Sequence, residues 1–105
     1  MRFNDYEKVL KDGIFTLTQP YKYGDDPEIT TLEFPLKELT GQHIRTAQNN
    51  YEMLEGTISE VMELNKNYQA YVAAALMKVQ PDFVFNLPAK DFTAITLFVE
   101  RFLVR

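Results

Sequence analysis

An α+β domain, one β-hairpin followed by about three helices, is the fold this sequence predicts, and three observations predict it. Apolar residues alternate with period two between residues 13 and 34, and with a period near 3.6 beyond residue 40. Turn chemistry, Gly24-Asp25-Asp26-Pro27, separates the two strand-like runs. Proline then punctuates the later segments at Pro35, Pro81 and Pro88. A chain of 105 residues, 46% hydrophobic and 25% charged, has the balance of one small globular domain with one core.

The elements follow in order. Residues 1–12 are either an N-terminal arm that packs only when docked or a short amphipathic helix, since Phe3, Tyr6, Val9 and Leu10 recur at helical spacing. Residues 13–105 form the single domain, with the hairpin over 13–34 and the helical part over 40–104. Its first strand, 13–18, carries Ile14-Phe15-Thr16-Leu17-Thr18, rich in β-branched and aromatic residues. The second strand, 29–34, sets Thr30, Leu32 and Phe34 on one face. A helix over 41–55 is predicted from Ile44, Ala47, Tyr51, Leu54 and Ile58, spaced alternately three and four apart, with Thr40 as its cap. Gly56 breaks it. Thr57-Ile58-Ser59-Glu60 has the spacing of a capping box, opening a second helix over 60–79. Asp82–Leu87 reads as a connection, and Pro88 opens a last helix over 88–103. The expected core comprises Val61, Leu64, Tyr68, Val72, Phe92, Ile95, Val99 and Phe102.

Composition excludes several classes of function. A net charge of −4, with scattered Lys and Arg, gives no basic stripe for counterion release, so nucleic acid is not an expected partner. The absence of cysteine removes disulfides, thiolate metal sites and a thiol nucleophile. His43 is the one histidine and lies at a helix start, where the expected role is that of a surface or cap residue. Asp25, Asp26 and Glu28 lack the alternate-position ligands of a calcium loop, and Ser59 has no nucleophile-elbow context. No catalytic, cofactor or metal residue is expected, and the chain is read as no enzyme. The N-terminus lacks the apolar stretch of a signal peptide, and no window has the roughly 20 apolar residues of a membrane span.

The two last helices carry more apolar residues than one face requires. Placed at about 100° each, Met62, Ala73 and Met77 fall well round from the main stripe of the second helix. Leu97 and Val104 stand apart from the Phe92–Phe102 face, separated from it by Thr93, Thr96 and Glu100. These five residues are the candidate partner-binding surface, with methionine supplying adaptable packing. A homo-oligomer contact is an alternative use for the same patch.

Gly13-Ile14-Phe15-Thr16-Leu17-Thr18-Gln19-Pro20 resembles the opening strand of the bacteriophage tail assembly chaperones of the Mu-like and related groups. Ile29-Thr30-Thr31-Leu32-Glu33-Phe34-Pro35 is similar to their second strand, and Leu39-Thr40-Gly41-Gln42-His43-Ile44 to the turn and helix after it. Asp91-Phe92 and Val99-Glu100-Arg101-Phe102-Leu103 look like the closing helix. The likeness covers roughly residues 13–104 and is one of layout, without a single diagnostic motif. Gln42-His43 stands where many relatives are acidic, and the segment before Gly13 is longer than in the family. The resemblance implies a non-enzymatic protein of the host bacterial cytoplasm, absent from the mature virion. It would bind an apolar helical segment of the tape measure protein and keep it soluble while the major tail tube protein polymerises. Some relatives also have a longer, frameshifted form. The alternatives are a structural phage or prophage component kept in the virion, such as a head–tail connector or tail-completion subunit, and a bacterial adaptor or inhibitor protein.

Overall fold

A computed structural model describes residues 3–56 and 64–104. It runs α1 (Phe3–Asp12), β1 (Ile14–Tyr21), β2 (Ile29–Glu33), a 3-10 turn (Leu36–Glu38), α2 (Gly41–Glu55), α3 (Lys66–Met77), α4 (Pro81–Phe85) and α5 (Ala89–Val104). The domain is α+β: a two-stranded antiparallel hairpin and then helices.

Alternation makes the hairpin. Phe15 and Leu17 of β1 and Leu32 of β2 are buried, while Ile14, Thr16 and Thr18 face outward. Phe15 pairs with Leu32 and Thr16 with Thr31; the register then shifts before Tyr21 meets Ile29. That irregularity carries β1 to Tyr21, three residues beyond the expected end of the strand. Gly13 enters β1 at φ 70°, a backbone setting that a side chain would strain. Its carbonyl accepts from Phe34 N–H at 2.8 Å, which closes the base of the hairpin.

Of the two readings of the first twelve residues, the structure has the helix: α1 buries Tyr6 and Val9 in the core. α2 occupies the span expected for it. Its start is closed by Thr40 and His43, the Thr40 N–H donating to His43 Nδ1 at 2.9 Å. His43 is thus a capping residue. Asn65 caps α3, its side chain accepting from Tyr68 N–H at 2.9 Å. The expected capping box at residues 57–60, and the core position Val61, lie outside the described residues. The segment read as a connection contains α4, whose Pro81 stands in its first turn.

α3 is the central element and packs against α2, α4 and α5. Its residues Tyr68 to Ala74 are all buried, a helix apolar nearly all round. Tyr68, Val72, Ile95 and Val99 sit in the core as expected, whereas Phe92 and Phe102 are half-buried at its margin. Leu64, expected inside, is 59% exposed, and Leu54 of the α2 stripe is 64% exposed.

Candidate functional site

The sequence-nominated patch is not one surface. Ala73 is fully buried, because α3 is flanked on several sides and its apparent second face lies against neighbouring helices. Met77 and Leu97 are half-buried, with Met77 packed onto the core. Val104 is 56% exposed, and Met62 lies outside the described residues. Thr96, expected on a polar face, is fully buried. Its hydroxyl lies 2.9 Å from the Phe92 carbonyl and 3.1 Å from that of Thr93, and it accepts from Lys66 Nζ at 3.0 Å. Gln69, also buried, donates to Glu100 Oε1 at 3.1 Å across the same α3–α5 contact. Both polar groups are satisfied where they are enclosed, which is what burial requires of them.

The most exposed of the large apolar side chains described lie elsewhere, where α2 ends and α3 begins. Met53 is 75% exposed, and Leu54 and Leu64 accompany it. The backbone beneath them is held firmly. Asn65 Nδ2 donates to the Tyr51 hydroxyl at 3.0 Å, Tyr71 donates to Glu55 Oε2 at 2.9 Å, and Asn67 Nδ2 reaches Glu55 Oε1 at 3.4 Å. Burial, followed by the Glu55 carboxylate as acceptor and neighbouring charge, pushes the Tyr71 phenol up to about 12. These bonds fix the end of α2 against α3 and leave three aliphatic side chains facing outward. Helical spacing places Leu54 on the same stripe as the buried Ala47 and Tyr51. The contrary signal in the sequence was its place two residues before Gly56, at the end of the helix.

A second feature is a cleft of about 580 Å³ between α1, β1 and the first half of α5. Val9, Phe15, Ala94 and Phe98 line it with apolar surface, and Lys8 and Lys90 contribute charge. One end is closed by Asp91, fully buried, whose carboxylate accepts from Thr18 N–H at 3.0 and 3.2 Å and from Thr18 Oγ1 at 3.0 Å. Asp91 lies in the first turn of α5, where a carboxylate is also favoured by the helix dipole. No grouping of three or more His, Cys, Asp or Glu side chains that could hold a metal occurs among the described residues. No helix among them is long and apolar enough to cross a membrane.

Aliphatic side chains held outward at a braced helix end and, separate from them, an apolar cleft are the apolar surface that the described residues offer. The comparison with protein families gives that surface its context. Residues 14–104 match the family described as phage tail assembly chaperone proteins, E, or 41 or 14. The chain belongs to this family, and its role is in phage tail assembly, among phage tail proteins. No curated protein and no solved structure matches it.

Proposed function

We propose that this chaperone binds an apolar helical segment of the tape measure protein in the host cytoplasm. It keeps that segment soluble until tail tube protein assembles around it, and leaves before the virion is complete. The observation that carries this reading is the exposure of Met53, Leu54 and Leu64 at one end of the α2–α3 pair. A client helix offering apolar anchors at i, i+3, i+4 and i+7 would cover them. Full burial of a large apolar side chain contributes about 1.5–3 kcal/mol, so three that are already about one third covered would contribute roughly 4 kcal/mol. Association itself costs about as much or more. These three side chains therefore do no more than offset that cost, and further contacts along the client helix supply the net affinity, which stays modest enough for release. In this proposal Met77, Leu97 and Val104 add a second contact, smaller because the first two are partly buried already.

Co-expression with the tape measure protein tests the reading. The chaperone should raise the soluble fraction of its client and co-elute with it on gel filtration. Met53→Asp with Leu54→Lys should abolish the complex and leave the circular dichroism spectrum intact, because both side chains are exposed. Leu97→Lys with Val104→Asp should weaken it less. Absence of any complex, together with detection of the protein in purified virions by mass spectrometry, would replace this reading with that of a structural tail component.

A further inference from the structure

The hairpin has only two strands, so β1 has a second edge that pairs with no strand among the described residues. Register shows which backbone groups lie there. Phe34 N–H bonds the Gly13 carbonyl, and Phe15 stands opposite Leu32, so Gly13 and Phe15 turn their backbone groups toward β2. Alternation then turns those of Ile14, Thr16 and Thr18 the other way, toward the cleft. Thr18 confirms the parity, since its N–H reaches across to Asp91 on α5. Among the described residues the N–H and C=O groups of Ile14 and Thr16 have no backbone partner on that edge, and both residues line the cleft, with Ile14 41% exposed.

We infer that the cleft between β1 and α5 is a docking site for a short, acidic, extended segment of a partner protein, which adds to β1 as a third strand. Three features select this occupant. Two outward-facing residues offer two donors and two acceptors, a ladder that an extended chain completes and that a helix cannot, its own backbone groups being already paired. The floor of Val9, Phe15, Ala94 and Phe98 takes the alternate apolar side chains of such a strand. Lys8 and Lys90 lie exposed on the walls, in a chain whose net charge is −4, and neither has an ion-pair partner among the described residues. A carboxylate on the incoming segment answers them. A second copy of this chain does not, because it would set its own Lys8 and Lys90 against the first pair. Asp91 fixes the length: having taken Thr18 N–H, it stops the ladder after Thr16. The site therefore reads about three residues.

This inference is separate from the tape measure reading, since Met53, Leu54 and Leu64 do not line the cleft. Its test uses the full chain, labelled with nitrogen-15, and an acetylated, amidated peptide Glu-Val-Thr-Val-Glu as probe. Titration should shift the Ile14 and Thr16 amide resonances first. Lys8→Glu with Lys90→Glu should weaken binding at least tenfold without changing the circular dichroism spectrum. N-methylation of the central peptide residues, which removes donors but keeps charge, should weaken it by a similar factor. The inference is overturned by Ile14 and Thr16 amides that stay unmoved at millimolar peptide, by binding indifferent to N-methylation, or by amide shifts that follow protein concentration instead of peptide. The last result would assign the edge to a dimer.

Discussion

Asp91→Ala is the substitution that most directly tests how the hairpin is joined to the helices. Thr18 and Asp91 are 73 residues apart in sequence. The fully buried carboxylate accepts from both the backbone N–H and the hydroxyl of Thr18. A hydrogen bond to a charged acceptor contributes about 1.5–3 kcal/mol net. Thr18 is itself exposed, so both bonds belong at the low end of that range. Loss of the favourable charge in the first turn of α5 adds about 0.5 kcal/mol. The expected destabilisation is therefore about 3–4 kcal/mol. With a urea m-value of about 1.5 kcal/mol/M, the unfolding midpoint should fall by roughly 2 M. The chain has six tyrosines and no tryptophan, so circular dichroism at 222 nm is the natural probe. Asp91→Asn keeps one acceptor for the N–H and gains a donor for the hydroxyl, and should cost only about 1 kcal/mol. Thr18→Val keeps the N–H and should also cost about 1 kcal/mol; combined with Asp91→Ala it should add less than its own loss, because both remove the same bond. An Asp91→Ala variant within about 0.5 kcal/mol of the parent would refute the reasoning. It would mean that the cost of burying the carboxylate cancels the bonds it makes.

Three further substitutions test the core and the brace beneath the exposed apolar end. Phe98 is fully buried, with ring centroids 5.4 Å from Tyr6 and 6.0 Å from Phe15; Phe98→Ala should cost about 3–5 kcal/mol in urea unfolding, whereas the half-buried Phe102→Ala should cost about half as much. Tyr71 is held protonated in the folded state up to about 12, against 10.0 ordinarily, so the folded chain retains a proton the unfolded one loses between those values. Stability should be full below pH 10 and fall as pH rises from there to 12; Tyr71→Phe should flatten part of that fall, and a slope unchanged by the substitution would remove the Tyr71–Glu55 bond as its cause.

How much of this was legible in the sequence depends on the range of the signal. The hairpin was readable because alternation is local: Phe15, Leu17, Leu32 and Phe34 all point inward as a period of two demands. The cap on α2 was readable at Thr40, whose side chain accepts from the backbone three residues on; the reciprocal half, in which His43 Nδ1 accepts from the Thr40 N–H, was not. Helical stripes were less reliable, because a stripe says which residues share a face and nothing about what covers it. Leu54 continues the face of Ala47 and Tyr51 but stands at the end of α2, where it is left uncovered. Ala73 failed in the opposite sense. A helix in the middle of a bundle has no solvent face, and the run Ala73-Ala74-Ala75 marks the close packing that a central helix needs. α4 was missed because five residues are too few to show a period. The Asp91–Thr18 link and the Gln69–Glu100 bond join elements distant in sequence, and no local pattern announces such pairs.

The distribution of aromatic residues connects the fold to the proposed mode of action. Eight Phe and six Tyr are many for so short a chain, and aromatic residues usually lead at tight interfaces. Here they are consumed in holding the domain together. Tyr6, Phe15 and Phe98 join α1, β1 and α5; Tyr21 and Tyr23 meet Phe83 and join the hairpin to α4. Tyr68, Tyr51, Tyr71, Phe85 and Phe92 run in successive ring contacts from α2 and α3 through α4 to α5. What is left outward is mainly aliphatic: Ile14, Met53, Leu54, Leu64 and Val104, with Phe85 the one aromatic among the large exposed side chains described. Leucine and methionine bury area without fixing orientation, and methionine repacks around different partners. In the function proposed above, a surface of that kind suits a client whose apolar helices vary from turn to turn and which is given up as the tail tube grows. The same division explains why charge introduced at Met53 and Leu54 should remove binding while the aromatic core keeps the fold.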